Sequence, residues 1–396
     1  MTELGIGKKT IRDIEVAGKR VLVRADLNVP IENGEILDDT RIRESLPTLR
    51  YLLERGAQVI VCSHLGRPKG RDPELSLAPV AGRMSNLLGE DVFFAEDCIG
   101  PEAEKAVSAM GHHIVLLENL RFHPEEEKND PEFARQLASL ADVFVNDAFG
   151  AAHRAHASTE GVTHYLPAVA GFLMEKEVRY LSALVANPPK PFAAIVGGAK
   201  VSTKIPAIDH LLPKLDMLLL GGGMANTFLK ATGIDVQMSL VEDEQVEAAR
   251  GVLERAKASG VEVHLPVDVV AASKFAEDAE ALVRAVDAVP RGYMILDIGP
   301  ETVKRYVAAL KPAKAIVWNG PMGVFEMEKF SRGSFELARA LANLDATTVV
   351  GGGETAAVVA RTGLASRFTH VSTGGGASLE MLEGRELPGV AALQDA

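Results

Sequence analysis

The chain has 396 residues, of which 47% are apolar and 24% are charged, values that are usual for folded proteins and argue against disorder. Because a single hydrophobic core stops growing at about 250–300 residues, this length predicts two domains. The formal net charge of −12 disfavours a nucleic-acid-binding protein, whose surface usually carries a basic surplus. It leaves room for a local anion site, which needs only a few focused positive charges.

Cysteine content and hydropathy bear on location. Cys62 and Cys98 form no CxxC pair and no zinc-ligand spacing, which favours a reduced compartment. Residues 1–20 carry charges throughout and lack the apolar core of a signal peptide. The most apolar stretch, 215–229, is interrupted by polar residues and glycines and is too short for a bilayer of roughly 30 Å. By elimination, we expect a cytoplasmic protein with no membrane partner. We also expect a monomer.

Short apolar runs in the first half predict strands, and amphipathic stretches between them predict helices. Apolar residues from Ile42 to Leu53 recur on one helical face. Pro47 is expected to kink this helix or mark its start, and Gly56 to cap its end. The predicted strands are Val21–Arg24, Gln58–Ser63, Val92–Phe94, Ile114–Leu117 and Val143–Val145.

The second half repeats this alternation, with predicted helices at 241–258 and 335–344. Strands that alternate with helices are typical of parallel sheets covered on both faces. The pattern therefore predicts an α/β fold of two Rossmann-like, three-layer α/β/α domains with mainly parallel sheets, joined by a long helix and hinge. The predicted strands are Phe192–Val196, Met217–Leu220, Val261–Leu265, Ile316–Trp318, Thr347–Val350 and His370–Ser372.

A proline-rich segment marks the domain boundary. A helical pattern runs from about Phe172 to Ala186 and meets the sequence NPPKP at 187–191, whose prolines end a helix and stiffen a linker. We therefore predict a first domain at 1–170, a connecting helix at 171–187 and a second domain at 188–372.

Glycine-rich turns follow the strands of the second domain, where ligands of open α/β sheets bind. Glycine lets backbone N–H groups approach an anion closely, and the helix that follows adds positive dipole. One such turn can be a tight connection only, whereas turns at successive strand ends predict a polyphosphate nucleotide. Lys200 and Lys204 suit phosphate oxygens, and a pair of solvated surface lysines is the less favoured alternative. The turns are Gly197–Lys200, Gly221–Gly223, Asn319–Gly323, Gly351–Thr355 and Gly374–Gly376.

Several common nucleotide motifs are missing from the sequence. GxxxxGK[ST] does not occur, which excludes a P-loop protein. No GxGxxG opens a first βαβ unit, which disfavours a nicotinamide dehydrogenase, an alternative that absence of NADH binding would eliminate. The HRD and DFG motifs of protein kinases do not occur together.

The strand ends of the first domain carry polar and cationic side chains instead. Alone, each arginine is explained by a surface ion pair, and His64 by a structural hydrogen bond. Together they predict an anionic substrate, because arginine binds phosphate and carboxylate through two parallel hydrogen bonds. His153 and His156 form HxxH without a third ligand, so we predict no metal there. The side chains concerned are Asp26, Asn28, Arg41, His64, Arg67, Arg121 and Arg154.

No nucleophile–base pair is evident in either domain. Phosphoryl transfer needs little covalent help from protein, because positioning and charge stabilisation do most of the work. An acceptor that is already an ionised carboxylate requires no general base. The two kinds of site therefore predict phosphoryl transfer between a nucleotide and a small phosphorylated acid.

Several sequence segments of both domains together indicate a family. The chain resembles the phosphoglycerate kinases over essentially its whole length. The matching segments are RADLNVP at 24–30, SHLGRP at 63–68, ENLRF at 118–122, HRAH at 153–156, GGAKVSTK at 197–204, NGPMGVFE at 319–326, GGGET at 351–355 and STGGGAS at 372–378.

The resemblance implies the glycolytic reaction ATP + 3-phosphoglycerate ⇌ ADP + 1,3-bisphosphoglycerate. It implies a 3-phosphoglycerate site at Asp26, Leu27, Asn28, Arg41, His64, Leu65, Gly66, Arg67, Arg121 and Arg154. It implies a nucleotide site at Gly198, Ala199, Lys204, Gly222, Gly292, Asn319, Glu326, Gly352, Gly353, Glu354 and Thr355. It implies that the transferring phosphoryl group is stabilised by Lys200, Arg41 and Gly375.

The resemblance also implies a magnesium ion, a returning C-terminal segment and a moving hinge. Many family members have Asp where this chain has Glu354, the implied magnesium-binding residue, so the carboxylate is kept and lengthened by one methylene. Residues 373–396 are expected to pack back on the first domain. Closure about 171–187 and Ser372–Thr373 is expected to bring the substrates together. The alternative from another class is a non-catalytic sensor of sugar phosphates.

Overall fold

The computed structural model describes residues 7–109 and 114–396. Its internal contacts divide the chain into unit 1, which comprises the residues up to Arg179 together with Glu386–Ala396, and unit 2, Tyr180–Arg385. The domain boundaries predicted from the sequence stay predictions. No described helix combines the length and the apolar character needed to cross a lipid bilayer.

Strands and helices are numbered in chain order. The strands are β1 Arg20–Arg24, β2 Ile31–Glu32, β3 Glu35–Ile36, β4 Gln58–Cys62, β5 Val92–Ala95, β6 Ile114–Leu117, β7 Val143–Asn146, β8 Ala168–Ala170, β9 Phe192–Val196, β10 Met217–Leu220, β11 Glu262–His264, β12 Asp268–Ala272, β13 Ala281–Ala285, β14 Met294–Ile298, β15 Ala315–Asn319, β16 Thr347–Gly351 and β17 His370–Val371. The helices are α1 Thr40–Glu54, α2 Ala78–Leu88, α3 Gly100–Ala109, α4 Pro131–Ala138, α5 Phe172–Ala186, α6 Ile205–Leu211, α7 Gly222–Ala231, α8 Val246–Ala258, α9 Pro300–Leu310, α10 Arg332–Leu341, α11 Gly353–Arg361, α12 Gly375–Leu382 and α13 Pro388–Ala391.

Unit 1 contains a six-stranded parallel sheet in the order β5-β6-β4-β1-β7-β8. Its strands are nearly continuous apolar runs because helices cover both faces. Val21 and Val23 of β1 pack with Val59 of β4 against Ile42 and Leu49 of α1. This packing confirms the apolar helical face read from the sequence.

The proline inside α1 does not mark the start of the helix. The helix begins at Thr40 and contains Pro47. Its cap residue is Arg55, and the following residue, Gly56, takes the left-handed conformation with φ 73°. The predicted connecting helix is α5, whose ends coincide with the predicted Phe172 and Ala186.

The C-terminal residues pack on unit 1. The amide N–H of Gly389 donates to the carbonyl of Ala152 at 2.8 Å, and Nδ2 of Asn146 donates to the carbonyl of Gly389 at 3.0 Å. Nζ of Lys8 donates to the Leu393 carbonyl at 2.9 Å and forms an ion pair with Asp395 at 2.7 Å. These contacts join the two ends of the chain to one core.

Unit 2 contains a second six-stranded parallel sheet, in the order β11-β10-β9-β15-β16-β17. Trp318 of β15 has no exposed surface. The Tyr306 hydroxyl of α9 donates to the carbonyl of Leu220 at 2.5 Å, which connects a helix to the end of β10. Two mainly parallel sheets covered by helices confirm the predicted α/β fold class.

An antiparallel sheet in unit 2, in the order β13-β12-β14, is absent from the sequence prediction. Its strand β13, Ala281–Ala285, is exposed over most of its length, so it lacks the apolar run that identifies a buried strand. The short strands β2, β3 and β8 were also not predicted, because two or three residues give no period.

A buried carboxyl holds the start of α5. Oδ1 of Asp147, which follows β7, accepts hydrogen bonds from the amides of Leu173 at 2.9 Å and Met174 at 3.2 Å. Burial of this side chain raises the pKa of Asp147 to about 6, against the lowering effect of the hydrogen bonds from Thr48 and from these amides.

The pKa of Asp147 predicts a pH-dependent contribution to stability. Its folded value exceeds the unfolded value of about 3.9, so the stabilising proton is present below about pH 4 and is lost as the pH rises through about 6. From about pH 4 to about pH 7, the free energy of unfolding of the wild type should fall by about 1–3 kcal/mol relative to Asp147→Asn. Urea unfolding at a series of pH values measures this difference, and parallel profiles for the two proteins would contradict it.

Candidate functional site

The candidate site of unit 1 lies where its parallel strands end. Arg24 at the end of β1 pairs with Cys62 of β4 on one side and with Asn146 of β7 on the other. The chain leaves β1 for β4 and later returns to β7, so β1 lies at a topological switch point. Ligands of open α/β sheets bind beyond the carboxyl ends of the strands at such a point.

Hydrogen bonds fix the loops that follow β1, β4 and β6 to one another. Oδ1 of Asn28 accepts from the amide of Gly66 at 2.8 Å. Nδ2 of Asn119, which follows β6, donates to the carbonyl of Leu65 at 2.8 Å. The Leu27 amide donates to Oγ of Ser63 at 2.9 Å. The three loops therefore form one surface, although their residues are far apart in sequence.

The structure brings most of the predicted side chains of unit 1 to this surface. Nη1 of Arg41 donates to Oδ1 of Asp26 at 2.8 Å, and Nη1 of Arg121 donates to the carbonyl of Gly66 at 2.7 Å. Arg67 is exposed. These residues can present guanidinium groups to an anion.

Two predicted leucines and one further arginine of unit 1 have different surroundings. Leu27 and Leu65 belong to the hydrophobic core, so only their backbone groups can face a ligand. Arg154 is half-buried, and its Nε contacts Nε2 of His153 at 3.2 Å. The electrostatic influence of Arg154 on Arg121 and His156 places it close to the same cationic surface.

The histidines of this surface are kept neutral by their surroundings. Burial, followed by the charges of Arg24 and Arg121, holds the pKa of His64 well below its usual range. Burial and the same arginines lower the pKa of His156 to about 4. Both rings are therefore uncharged near neutral pH, and the positive charge of the surface comes from arginine.

Sequence reasoning missed the residues beneath this surface. Arg24 is fully buried, and its Nε donates to Oγ of Ser158 at 2.8 Å. The Ser158 hydroxyl in turn donates to Oε1 of Glu126 at 2.5 Å, and Glu126 is also fully buried. The position of Arg24 at a strand end was the available signal, but an arginine that ends a strand usually reaches solvent.

In unit 2, the register of β15 places the glycine-rich turns side by side. Asn319 pairs with Val196 of β9 and with Gly351 of β16. The amide of Gly197 donates to the carbonyl of Asn319 at 2.9 Å, and the amide of Gly222 donates to the carbonyl of Met322 at 3.0 Å. The predicted turns therefore converge at one edge of the sheet.

Close backbone approach explains two of these glycines. Gly320 has φ 99°, and a Cβ atom there would lie 2.2 Å from the carbonyl oxygen of Gly197. Gly222 has φ 66°, and its Cβ would lie 2.6 Å from the amide nitrogen of Gly198. Any other residue would push the turns apart, because the conflicting atoms belong to backbone.

Helix N-termini supply hydrogen-bond donors at the same edge. Helices α7, α11 and α12 begin at Gly222, Gly353 and Gly375. In this described part of the chain, no side chain caps any of the three helices. Uncapped N–H groups and the helix dipole both favour a bound anion.

Lys204 and Asn319 add polar groups to these turns. Nζ of Lys204 donates to Oδ1 of Asn319. Burial lowers the pKa of Lys204, whereas the nearby carboxylates of Glu354 and Glu383 raise it. Nδ2 of Asn319 is buried and has no hydrogen-bond partner within the described ranges. It lies against the turn at Gly352, where an anion could accept its hydrogen bond.

An apolar cleft of about 510 Å³ adjoins the glycine turns. Met238, Leu240 and Phe275 line it and are exposed by 64%, 55% and 61%. Strand β14 of the antiparallel sheet forms a further wall, which explains why sequence reasoning missed the cleft. Its dimensions and lining suit a flat aromatic base. The predicted site residues that also line it are Gly198, Ala199, Gly222, Glu326 and Glu354.

The remaining predicted residues of unit 2 have different positions. Gly292 lies in the turn before β14 with φ 83°. Thr355 is fully buried, and its Oγ1 accepts from the amide of Gly320 at 2.7 Å, so it connects two turns. Lys200 is exposed and ends the turn that follows β9.

Glu354 is the residue of unit 2 that fits a magnesium ion. Its carboxylate is exposed in the first turn of α11, beside the predicted phosphate donors. Mg²⁺ prefers oxygen ligands and is usually held by one or two carboxylates together with substrate phosphates.

A second potential metal group lies in unit 1. The ligand atoms of Asp97, Cys98 and His123 lie within 4.8 Å of one another. Oδ1 of Asp97 already accepts hydrogen bonds from Nε2 of His123 at 2.6 Å and from the amide of Cys98 at 2.7 Å. Burial also raises the pKa of the Cys98 thiol. We therefore assign no metal to this group.

Comparison with known proteins gives one family. The family model described as phosphoglycerate kinase matches residues 11–385. The chain belongs to the phosphoglycerate kinase family. Its relatives include the phosphoglycerate kinase of Moorella thermoacetica, 59% identical over 392 residues that cover 98% of this chain and 100% of the relative. They also include the cytosolic phosphoglycerate kinase of Triticum aestivum, 57% identical with 98% of each chain covered.

Solved phosphoglycerate kinases share the fold. The structure from Coxiella burnetii has a TM-score of 0.88 and 45% identity, and it covers 97% of this chain and 98% of its own. The structure from Pyrococcus horikoshii has a TM-score of 0.83 and 34% identity over the same shares. The prediction of an enzyme with phosphoglycerate kinase activity, a phosphotransferase with a carboxyl acceptor, is confirmed.

The packing of Gly320 predicts the effect of adding one methyl group. In Gly320→Ala, Cβ conflicts with the Gly197 backbone at a positive φ, which should cost about 1–3 kcal/mol of stability. Displacement of the turns should also raise the dissociation constant for ATP about tenfold, as a loss of about 1.4 kcal/mol would. Thermal unfolding and calorimetric titration measure the two effects.

The matched control is Gly82→Ala in helix α2, where the added Cβ meets nothing within 4 Å. It should retain the ATP affinity of the wild type and gain up to about 1 kcal/mol of stability, because alanine is a better helix former than glycine. Equal behaviour of the two variants would show that the close approach at Gly320 does not shape the site.

Proposed function

We propose that this chain catalyses reversible phosphoryl transfer between ATP and the carboxylate of 3-phosphoglycerate, with the acid bound at the cationic surface of unit 1 and the nucleotide at the glycine turns of unit 2. The observation that carries the proposal is the convergence of uncapped helix N-termini, Lys204 and an apolar cleft at one edge of the second sheet. Polyphosphate and base each have a matching environment there.

The acid is held by hydrogen bonds from several directions. Arg67 and Arg121 supply guanidinium groups for its phosphate and carboxylate. Asn28 and Asp26 fix the loops and orient Arg41. His64 contributes a hydrogen bond without charge, because its pKa is lowered by burial and by neighbouring arginines. Arg154 adds positive charge next to Arg121.

The nucleotide is held mainly by backbone. N–H groups at Gly353 and Gly375 donate to phosphate oxygens, and the half-buried Lys204 adds a positive charge. The base lies in the apolar cleft beside Leu240. Recognition of a base by apolar contact explains why no base-reading residue is visible in the sequence.

The transfer itself depends on electrostatic stabilisation. The ionised carboxylate attacks the γ-phosphorus in line, so no general base is required. Lys200, Arg41 and the N–H groups at Gly375 stabilise the negative charge on the equatorial oxygens. Mg²⁺ neutralises phosphate charge when it is bound, and Glu354 supplies the carboxylate to hold it.

Direct transfer requires the two substrates to meet, so closure about residues 171–187 is part of the proposal and stays a prediction. We further propose a cytoplasmic monomer. The cytosolic relative from Triticum aestivum supports that location. A non-catalytic sensor is disfavoured, because the relatives are named as kinases.

A coupled assay tests the proposed reaction. Purified chain, ATP, Mg²⁺ and 3-phosphoglycerate should release ADP, and 1,3-bisphosphoglycerate with ADP should give ATP. Omission of 3-phosphoglycerate is the control for ATP hydrolysis. Binding of both substrates without any turnover would favour the sensor and refute the proposal.

Removal of the Lys200 ammonium group should slow the chemical step. We expect Lys200→Ala to lower kcat by roughly 10²–10³, the effect of one preorganised charge donor. The matched control is Lys257→Ala, an exposed lysine in α8 that should keep wild-type kcat. Activity of Lys200→Ala within a factor of about three of the wild type would remove Lys200 from the mechanism.

Separate binding sites predict separate kinetic defects. Arg67→Ala should raise KM for 3-phosphoglycerate by about 10–100-fold, the effect of one lost hydrogen bond to a charged group, and leave KM for ATP nearly unchanged. Lys204→Ala should show the reverse pattern. Initial rates with each substrate varied in turn measure both constants. Equal increases for both substrates in either variant would contradict the division of binding between the units.

A further inference from the structure

The hydrogen bonds of the buried Arg24 determine how His64 presents its ring. Nη2 of Arg24 contacts Nδ1 of His64 at 3.0 Å. A guanidinium group has five N–H donors and no acceptor. Nδ1 must therefore accept this hydrogen bond with its lone pair, and the proton of the neutral ring must be on Nε2.

Arg24 is held in place by two further contacts. Its Nε donates to Oγ of Ser158 at 2.8 Å, and its Nη1 donates to the Ala25 carbonyl at 2.6 Å. Because Ser158 accepts from Arg24, its own proton is free to go to Oε1 of Glu126, 2.5 Å away. The Ser158 amide donates to Oε2 of the same carboxylate at 2.9 Å. Every proton in this chain of contacts has one consistent position.

Glu126 supplies a buried negative charge for the group. Arg24 and Glu126 have no exposed surface, and a buried guanidinium group is costly unless a counter-charge accompanies it. The hydroxyl of Ser158 connects the two charges. Removal of that hydroxyl should therefore loosen Arg24 without deleting either charge.

The groups that face His64 all oppose its protonation. Arg24 at the end of β1, Arg41 in α1, Arg121 after β6 and His156 each lower its pKa, in addition to burial. Of the carboxylates described above, Asp26 is engaged with Arg41 and Glu126 with Ser158. The ring therefore stays neutral, and its tautomer decides whether it donates or accepts a hydrogen bond.

We propose that Arg24, held by Ser158 and Glu126, is a positioning residue that fixes His64 as the neutral Nε2–H tautomer, so that the ring donates a hydrogen bond to an oxygen of 3-phosphoglycerate. Nε2 has no hydrogen-bond partner among residues 7–109 and 114–396, which leaves its N–H available. The inference rests on the proposed function for the identity of the acceptor. The tautomer itself depends only on the contacts of Arg24.

Nitrogen-15 NMR of the full chain with labelled histidine reads the tautomer directly. The His64 signals, assigned with His64→Gln, should show an unprotonated Nδ1 and a protonated Nε2. They should stay so from about pH 8 to about pH 6, across the ordinary histidine pKa of about 6.5. A protonated Nδ1, or titration of the ring in this range, would overturn the inference.

Variants test whether Arg24 is the cause. Arg24→Met has a similar length but no N–H donor for Nδ1, so both tautomers of His64 should become visible. Ser158→Ala should raise KM for 3-phosphoglycerate roughly 3–10-fold, as loss of one hydrogen bond does, with KM for ATP unchanged. The matched control is Ser139→Ala, whose hydroxyl bonds a local carbonyl at an exposed site. If Arg24→Met folds and retains a pure Nε2–H tautomer, Arg24 is not the positioning residue.

The two proposals fail in different ways. Absence of turnover together with an Nε2–H ring would refute the proposed function and keep the tautomer. Full turnover with a protonated Nδ1 would refute only the inference. If Arg24→Met does not fold, the wild-type spectrum and the KM of Ser158→Ala decide the outcome.

Discussion

The register of the parallel strands is the constraint on which both candidate sites depend. Because Arg24 lies opposite Cys62 and Asn146, the loops after three strands of unit 1 open at one edge. In unit 2, Asn319 lies opposite Val196 and Gly351, with the same result for the glycine turns. Residues far apart in sequence thereby become neighbours at the ends of strands, where the dipoles of the following helices favour anions.

The two units stabilise a bound anion in different ways. Unit 1 uses side-chain cations, and their mutual repulsion is limited because burial and charge keep His64 and His156 neutral. Carboxylates on Asp26 and Glu126 offset part of the remaining positive charge. Unit 2 uses mainly backbone N–H groups, which carry no net charge and need no counter-ion when the site is open to water, and adds the charge of Lys204. This difference suits a small acid on one unit and a nucleotide on the other.

Much of the fold could be predicted from the sequence. The helical period of long segments such as α1 and α5 predicts helices, and continuous apolar runs predict the buried strands. The antiparallel sheet of β12 to β14 could not, since β13 is exposed over most of its length and has no apolar run that would mark it as a strand. The exposed apolar wall of the cleft was missed for the same reason. Composition does not reveal that Met238 and Phe275 face solvent beside the glycine turns.

Strand-end positions and the family resemblance predict the site residues, and the structure brings most of them to the two edges. Three predicted residues have buried side chains that do not face a ligand. Leu27 and Leu65 pack in the core, and Thr355 connects two turns. The sequence did not predict Arg24 and Glu126 as part of the site. In a linear sequence, a buried arginine paired with a carboxylate looks the same as a surface ion pair. Their burial follows from tertiary packing alone.

The central claim is that each unit binds one substrate at the carboxyl edge of its own sheet. Backbone amide NMR of the full chain, titrated separately with 3-phosphoglycerate and with Mg-ADP, tests it most directly. The account predicts that the acid shifts the amides of 25–28, 63–67 and 119–122, and that the nucleotide shifts those of 197–200, 221–224, 319–324 and 351–355. Shifts from both ligands on one and the same edge, or on neither edge, would contradict the account.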